Sequence, residues 1–302
     1  MVQAAETATP ACPSLEQRPF NLKQVAKGVY LRKGRHETFT KDNLNAIANI
    51  GLIIGDTSVA VIDTGGSFCD GSRFHKALRQ VTDKPISHVI NTHVHPDHNL
   101  GNAAFVNGKS IFIGHKNLPR AVADKGQIYI ENITRIVGKD VMAGTKSIPP
   151  SVTVTDEMKL NLGNRPLTLM ALPTSHTNQD LVVFDESQKI LWSGDLVFHE
   201  HTPVVDGSLL GWQTVMERLA KIPATHLIPG HGGPWLPWPE GATDQIRYLN
   251  KLATDLRRII SNGGTMLEAQ KQAAKEEEEK WKLFEEFNPR NASAAFAELE
   301  WE

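Results

Sequence analysis

The segment Asn91–Leu100 reads NTHVHPDHNL and places His93, His95, Asp97 and His98 almost side by side. Imidazole and carboxylate are the donors that zinc and neighbouring borderline metals prefer. In extended backbone alternate side chains share a face, so His93 and His95 can address one ion. Pro96 turns the chain after them, which aims Asp97 and His98 elsewhere and lets one loop serve two metals. The competing readings are a cluster of surface histidines and a closed structural zinc site. A closed site would more often use cysteine, and neither Cys12 nor Cys69 is near this loop in sequence.

Three further donors each sit where a strand or turn ends. His176 lies in PTSHT (173–177), Asp195 in SGD (193–195) and His231 in PGHGG (229–233). Taken singly each is weak, because a lone histidine in a turn is more often a surface residue than a ligand. The set and its order carry the argument: H-x-H-x-D-H, then His, then Gly-Asp, then Pro-Gly-His.

That order resembles the metallo-β-lactamase superfamily over roughly Val25 to Gly233. The resemblance implies an α/β fold, a four-layer αββα sandwich with the metals at one edge. It implies a first metal on His93, His95 and His176, a second on Asp97, His98 and His231, and Asp195 bridging both. Asp63, in VIDTG (61–65), matches the family's early aspartate and is expected to orient ligands or the histidine loop from behind. Two ions about 3.5–4 Å apart would hold a bridging hydroxide and polarise the bond under attack. Asp97 is then both ligand and catalytic residue, orienting the hydroxide or passing on its proton. The expected activity is dinuclear zinc-dependent hydrolysis of an ester, thioester, lactone or amide in a small-molecule substrate, with iron as the alternative metal.

Departures from the family pattern narrow this. The best-known β-lactamases of the fold have cysteine at the Asp195 position or do not bridge with it, so β-lactam turnover is expected as a side activity at most. Around His176 the sequence is SHTNQD (175–180) rather than the G-H-T-P-G-S of many relatives, which makes that wall more polar. The segments AIANIG (46–51), DTGGS (63–67), GNAAF (101–105), DGSLLGW (206–212) and AFAELEWE (295–302) are similar to the quinoprotein relay system zinc metallohydrolases. This closer resemblance implies a periplasmic protein whose signal peptide has been removed, serving a quinoprotein or sulfur-oxidation system; a cytoplasmic protein is the alternative. Two rival functions stand beside hydrolysis: a mono-iron sulfur dioxygenase on the same fold, and a non-catalytic metal-binding partner of such a periplasmic system.

The elements that must position these residues follow from patterning. A chain of 302 residues with 40% hydrophobic residues can bury a sizeable core. Strands are predicted over 29–32, 46–54, 59–63, 86–91, 110–114, 158–162, 167–172, 181–184, 190–193 and 226–228. Helices are predicted over 68–81, 117–136 and 209–219, with a helical turn at 102–106. Beyond Glu240, Leu249, Leu252, Leu256 and Ile259 repeat at helical spacing, and Thr265 with Glu268 forms a capping box for another helix. The organisation expected is a flexible tail (1–22), an αββα domain (23–238) and a C-terminal helical extension of it (239–302). The acidic run Glu276–Glu279 reads as a solvated helix face.

The formal net charge of −2 gives no basic surplus, which argues against a nucleic-acid partner. No apolar run approaches the roughly 20 residues that span a bilayer. The opening MVQAAETATPAC lacks a charged n-region and an apolar core, so it is not a signal peptide as it stands. It reads either as the start of a mature exported chain or as a native disordered N-terminus. Cys12 and Cys69 form no CxxC, and sequence leaves both a pair and two free thiols open; the closer resemblance favours the pair. His199, His201, Tyr129 and Arg135 are candidate substrate contacts. Asp206 and Ser208 read as a turn and a helix cap, and Trp235 and Trp238 as pocket wall or packing against the C-terminal helices. His36, His75, His88, His115 and His226 read as structural.

Overall fold

Every residue of Val59–Ile62 is buried, although successive side chains of a strand point to opposite faces. Val59 and Val61 belong to an outer cluster with Phe74 and Leu78. Ala60 and Ile62 belong to an inner cluster with Leu169, Val183 and Trp192. A strand apolar on both faces must be covered on both, which dictates a layered sandwich.

A computed structural model describes Cys12 and residues 20–302. The rest of the expected tail lies outside the described residues. Strands β1 (Lys23–Ala26), β2 (Val29–Arg32), β3 (Ile50–Ile54), β4 (Val59–Ile62), β5 (Ile86–Ile90), β6 (Ile111–His115) and β7 (Val152–Val154) form a seven-stranded sheet in that order. It is antiparallel from β1 to β4 and parallel from β4 to β7. Strands β8 (Glu157–Asn161), β9 (Pro166–Ala171), β10 (Leu181–Asp185), β11 (Ile190–Phe198), β12 (His226–His231) and β13 (Leu236–Pro237) form a six-stranded sheet, in which only β11 and β12 run parallel.

The helices are α1 (Phe68–Val81), α2 (Pro96–Asn99), α3 (Leu118–Val137), α4 (Lys139–Met142), α5 (Leu209–Leu219), α6 (Thr243–Ser261), α7 (Met266–Gln272) and α8 (Phe284–Leu299). Helix α1 covers the outer face of the first sheet, and α5 to α8 share one core with the outer face of the second. The expected αββα layering with a helical C-terminal region is therefore what the chain adopts. The Ser67, Ser208 and Thr265 side chains cap α1, α5 and α7, the last through the full capping box with Glu268. Among the described residues no helix is long and apolar enough to cross a membrane.

Three departures from the sequence expectation have local causes. The strand predicted over 46–54 begins only at Ile50. Leu44 and Asn45 turn the chain through positive φ, and Asn49 is drawn away to bond Gly230 O and Pro229 O at 2.7 and 2.8 Å. Strand β11 continues to Phe198 rather than stopping at Ser193. Past Gly194, side chains of α5 and α6 complete its hydrogen bonding: Trp212 Nε1 and Gln245 Nε2 donate to Leu196 O, and Phe198 N donates to Gln245 Oε1. Glu277, inside the acidic run, is buried and held by Arg247, Lys280 and Trp281 Nε1, so that run is not a uniformly solvated face.

Cys12 and Cys69 form a disulfide, the first alternative of the sequence reading. Cys69 lies in a small core with Leu44, Leu100, Ile133 and Val137, so the bond fixes Cys12 to the ground beneath α3. The bond spans 57 residues, a closure whose entropy is of order 4 kcal/mol. A Cys12→Ser variant is expected to unfold at markedly lower urea than the oxidised wild type. Superimposable unfolding curves would show that the bond does not constrain the chain.

Candidate metal centre

The histidine loop leaves the C-terminal end of β5, the edge at which open α/β sheets place their ligands. Asp63, at the end of β4, holds this loop at two points. Its Oδ1 accepts from Thr92 N at 2.9 Å and its Oδ2 from Thr92 Oγ1 at 2.8 Å. The same Oδ2 lies 2.7 Å from His98 Nδ1. Asp63 adopts φ 54°, a left-handed conformation that aspartate tolerates better than bulkier residues.

Each histidine of the loop and of the next turn is tied from outside through one ring nitrogen. The Thr92 hydroxyl, spent as a donor on Asp63, accepts from His93 Nδ1 at 3.0 Å. His98 Nδ1 donates to Asp63, and His176 Nδ1 donates to Val204 O at 2.6 Å. His95 is reversed: its Nε2 donates to Asp206 Oδ2 at 3.2 Å. The tautomer follows from these partners. His93, His98 and His176 present an Nε2 lone pair, and His95 an Nδ1 lone pair, towards one small volume.

Carboxylates complete two groups there. His93, His95, His176 and Asp195 form one, Asp97, His98 and His231 the other, with the donor atoms of each within 4.8 Å of one another. Asp195 stands between them. Its Oδ2 lies 3.6 Å from both His93 Nε2 and His176 Nε2 and 3.4 Å from His231 Nε2, while its Oδ1 lies 3.1 Å from His98 Nε2. Asp97 Oδ2 lies 3.5 Å from His98 Nε2 and 3.3 Å from His231 Nε2. Glycines permit this crowding. A Cβ on Gly194 would meet Thr92 Cβ at 2.6 Å, and one on Gly230 would meet Asp195 Oδ1 at 1.9 Å.

This donor set fits cations. His93 Nε2, His98 Nε2 and Asp195 Oδ1 are buried without a hydrogen-bond partner, although His98 Nε2 and Asp195 Oδ1 are close enough to bond. His176 Nε2 and His95 Nδ1 face each other at 3.0 Å with both protons committed elsewhere. Leaving a buried polar group unsatisfied costs about 1–3 kcal/mol, so several together need a shared positive charge. The electrostatics agree. Burial opposes charge on His98, but Asp195, Asp97 and Asp63 outweigh it and hold its pKa well above the usual value. Against the same burial, Asp195 and Asp97 raise His231 to about 9. Burial and then His98 push His93 well below the usual value, and burial and then His95 bring His176 down to about 4.

The seven residues expected as ligands, with Asp63 behind them, thus converge. Sequence reasoning read Asp206 only as a turn. Its carboxylate instead bonds His95 and receives Lys125 Nζ at 3.3 Å, while its backbone N–H donates to His176 O at 3.0 Å. Ser208 is the helix cap expected of it. Asp180 was also missed. It braces the turn carrying His176 by accepting from Ser175 Oγ, Thr177 N and Thr177 Oγ1 at 2.8, 2.8 and 2.5 Å.

A cavity of about 580 Å³ opens from the two groups and is lined by His201 and Tyr129 among others. His199 instead accepts from Gly233 N, and Arg135 bonds Asn132. Trp235 stacks on His226, and Trp238 joins the core of the C-terminal helices.

Two histidine–carboxylate groups at one edge of an αββα sandwich define a protein built to hold divalent metal. The chain belongs to the metallo-β-lactamase superfamily, whose family model matches residues 45–231. It is 29% identical over 185 residues to the acyl-coenzyme A thioesterase MBLAC2 of Bos taurus, covering 55% of this chain and 61% of that protein. It is 22% identical over 218 residues to a linear primary-alkylsulfatase of Pseudomonas sp. (strain ATCC 19151), covering 61% of this chain and 41% of that one. The chain thus spans about three fifths of the thioesterase's length and less of the sulfatase's. The fold is similar to that of a metallo-β-lactamase from Pontibacter korlensis (TM-score 0.60, 18% identity, 76% of this chain and 98% of that one). It is equally similar to the metallo-β-lactamase FIM-1 from Pseudomonas aeruginosa in its mono-zinc form (TM-score 0.60, 18% identity, 77% and 96%).

Burial raises the Asp180 carboxyl to about 7 against the Thr177 and Ser175 bonds. Between the ordinary carboxylate range and pH 7 the folded state therefore holds a proton that the unfolded chain has lost, and stability falls as pH rises through that window. Asp180→Asn has no such proton. It is expected to be less stable at pH 5 by about 1–3 kcal/mol, because its amide nitrogen cannot accept from Thr177 or Ser175. Its disadvantage should shrink towards pH 8. Parallel urea midpoints for the two proteins across pH 5–8 would refute the assignment.

Proposed function

We propose that the chain is a metal-dependent hydrolase with a dinuclear zinc site, cleaving an ester, thioester, lactone or amide in a small molecule. The observation that carries this reading is the set of four imidazoles whose outward hydrogen bonds leave their lone pairs converging on Asp195. In this reading His93, His95 and His176 would hold one ion and Asp97, His98 and His231 the other, with Asp195 placed between the two groups. Such a pair, when bound, supplies Lewis acidity and a nucleophile at neutral pH.

The protein's own residues do the rest. Asp63 orients His98 and the whole histidine loop, and Asp206 orients His95. Asp97 lines the cavity and can take and return a proton at the reacting face. The names of the thioesterase and alkylsulfatase relatives support hydrolysis as the reaction class. The disulfide suits an oxidising compartment. With the resemblance to the quinoprotein relay metallohydrolases, it supports a periplasmic location beside a quinoprotein or sulfur-oxidation system.

The test is metal quantification followed by a panel of thioesters, lactones, carboxylic esters, sulfate esters and β-lactams. Two zinc ions per chain and turnover abolished by chelation are the expected results. Asp97→Asn should lower kcat by about 10²–10⁴-fold, the range of a lost proton-transfer group. One iron per chain with substrate-dependent oxygen uptake would overturn the hydrolase in favour of a dioxygenase. Metal binding without turnover, with the Asp97→Asn phenotype intact, would point to a binding partner.

A further inference from the structure

Resting on that hydrolase reading, we propose that the substrate carries a neutral apolar arm, a medium-length acyl or alkyl chain, seated away from the scissile bond against Phe39, Ile47, Tyr129, Ile133 and Phe287. These residues line the cavity that opens from the metal groups, and its volume of about 580 Å³ is that of a small-molecule site.

The apolar wall is braced. Phe39 lies on a loop tied by Asn43, which bonds Thr40 N, Thr38 O and Glu37 Oε2. Ile133 is backed by Leu44 and the Cys69 core. Phe287 rides on α8, which Asn291 fastens to the cavity segment by accepting from Val205 N at 2.9 Å and donating to Pro203 O at 2.6 Å. Glu37–Phe39 and all of α8 lie outside the stretch 45–231 that matches the family. The chain therefore builds part of this wall, Phe39 and Phe287, from segments outside that stretch, while Ile47, Tyr129 and Ile133 lie within it.

Charge at the cavity favours a neutral arm over a polyanionic one. Among the described lining residues Arg290 is the only lysine or arginine, and it is committed to Glu286. Glu37 lies 3.7 Å from Arg35, and Asp206 receives Lys125. The rim is thus neutralised in pairs, and the described lining residues offer a phosphate-bearing arm such as that of coenzyme A no lysine or arginine that is not already paired. The arm that fits is uncharged.

Two measurements test this. Calorimetry of neutral n-alkanols from butanol to decanol on the metal-free protein is expected to show affinity rising about threefold to fourfold per methylene. That slope should flatten in Phe287→Ala and persist in Phe287→Leu, which also controls for disturbed packing of α8. On the zinc-loaded enzyme, acyl thioesters of N-acetylcysteamine should gain kcat/KM with chain length and exceed the matching coenzyme A thioesters at least tenfold. Chain-length-independent binding, or preference for the coenzyme A thioesters, would overturn the neutral-arm proposal. Chain-length-dependent alkanol binding without turnover of any ester or thioester would instead overturn the hydrolase reading and leave the subsite standing.

Discussion

The Asp63 carboxylate takes hydrogen bonds from the Thr92 amide, the Thr92 hydroxyl and the His98 ring, and so decides how the whole histidine loop is presented. With the hydroxyl turned towards Asp63, its remaining lone pair accepts from His93, and that fixes the second imidazole as well. One buried acid therefore sets the tautomers of two rings lying on either side of Pro96. A metal site needs this kind of control, because an imidazole with the wrong nitrogen protonated offers a proton where the ion requires a lone pair. Val204 O and Asp206 give His176 and His95 the same treatment from the other sheet's side of the cleft. The arrangement is costly without positive charge, as the partnerless His93 Nε2, His98 Nε2 and Asp195 Oδ1 make plain.

The sandwich exists, in this sense, to bring strand ends from two sheets to one edge. Strands β4 and β5 deliver Asp63 and the histidine loop, and β11 and β12 deliver Asp195 and His231. Their pairing is continuous only as far as Trp192 and Ile228, where the register slips at Gly194. That slip lets Asp195 lean between the two ligand groups. Side chains of Trp212 and Gln245 then take over the hydrogen bonding of the displaced strand, so the irregularity needed for the site is supported from the helical layer.

What was legible in the sequence follows from range. The loop His93–His98 is contiguous, so ligand type, spacing and the turn at Pro96 can be read directly. Gly194 and Gly230 are legible as close-approach positions once they sit beside Asp195 and His231. Burial on both faces is legible in β4, which is apolar at every residue, but less so in β5, which carries Ser87 and His88. The contacts of Asp206, Asp180 and Val204 O are not legible because their partners are set by tertiary placement. Nothing in DGSLLGW distinguishes a capping aspartate from one that reaches His95. Strand β11 was cut short because its last residues bond to side chains, which leave no periodic mark. Glu277 looked solvated because composition cannot show that Arg247 and Trp281 close over it.

The same distinction separates the reaction from the substrate. The donors that define the metal groups fall within the stretch shared with the family. The cavity wall comes from the 37–47 loop, α3 and α8, elements distant from one another in the chain. Yet wall and centre are mechanically joined: Asn291 on α8 holds Val205, and the adjoining Val204 carbonyl holds His176. Tyr248 and Asn288 extend this chain of bonds into the helical core. The helical region is thus part of the frame that keeps one metal-facing imidazole in place while it shapes the room for substrate. Family membership informs the chemistry at the centre, whereas the cavity wall is shaped in part by segments outside the stretch that the family model matches.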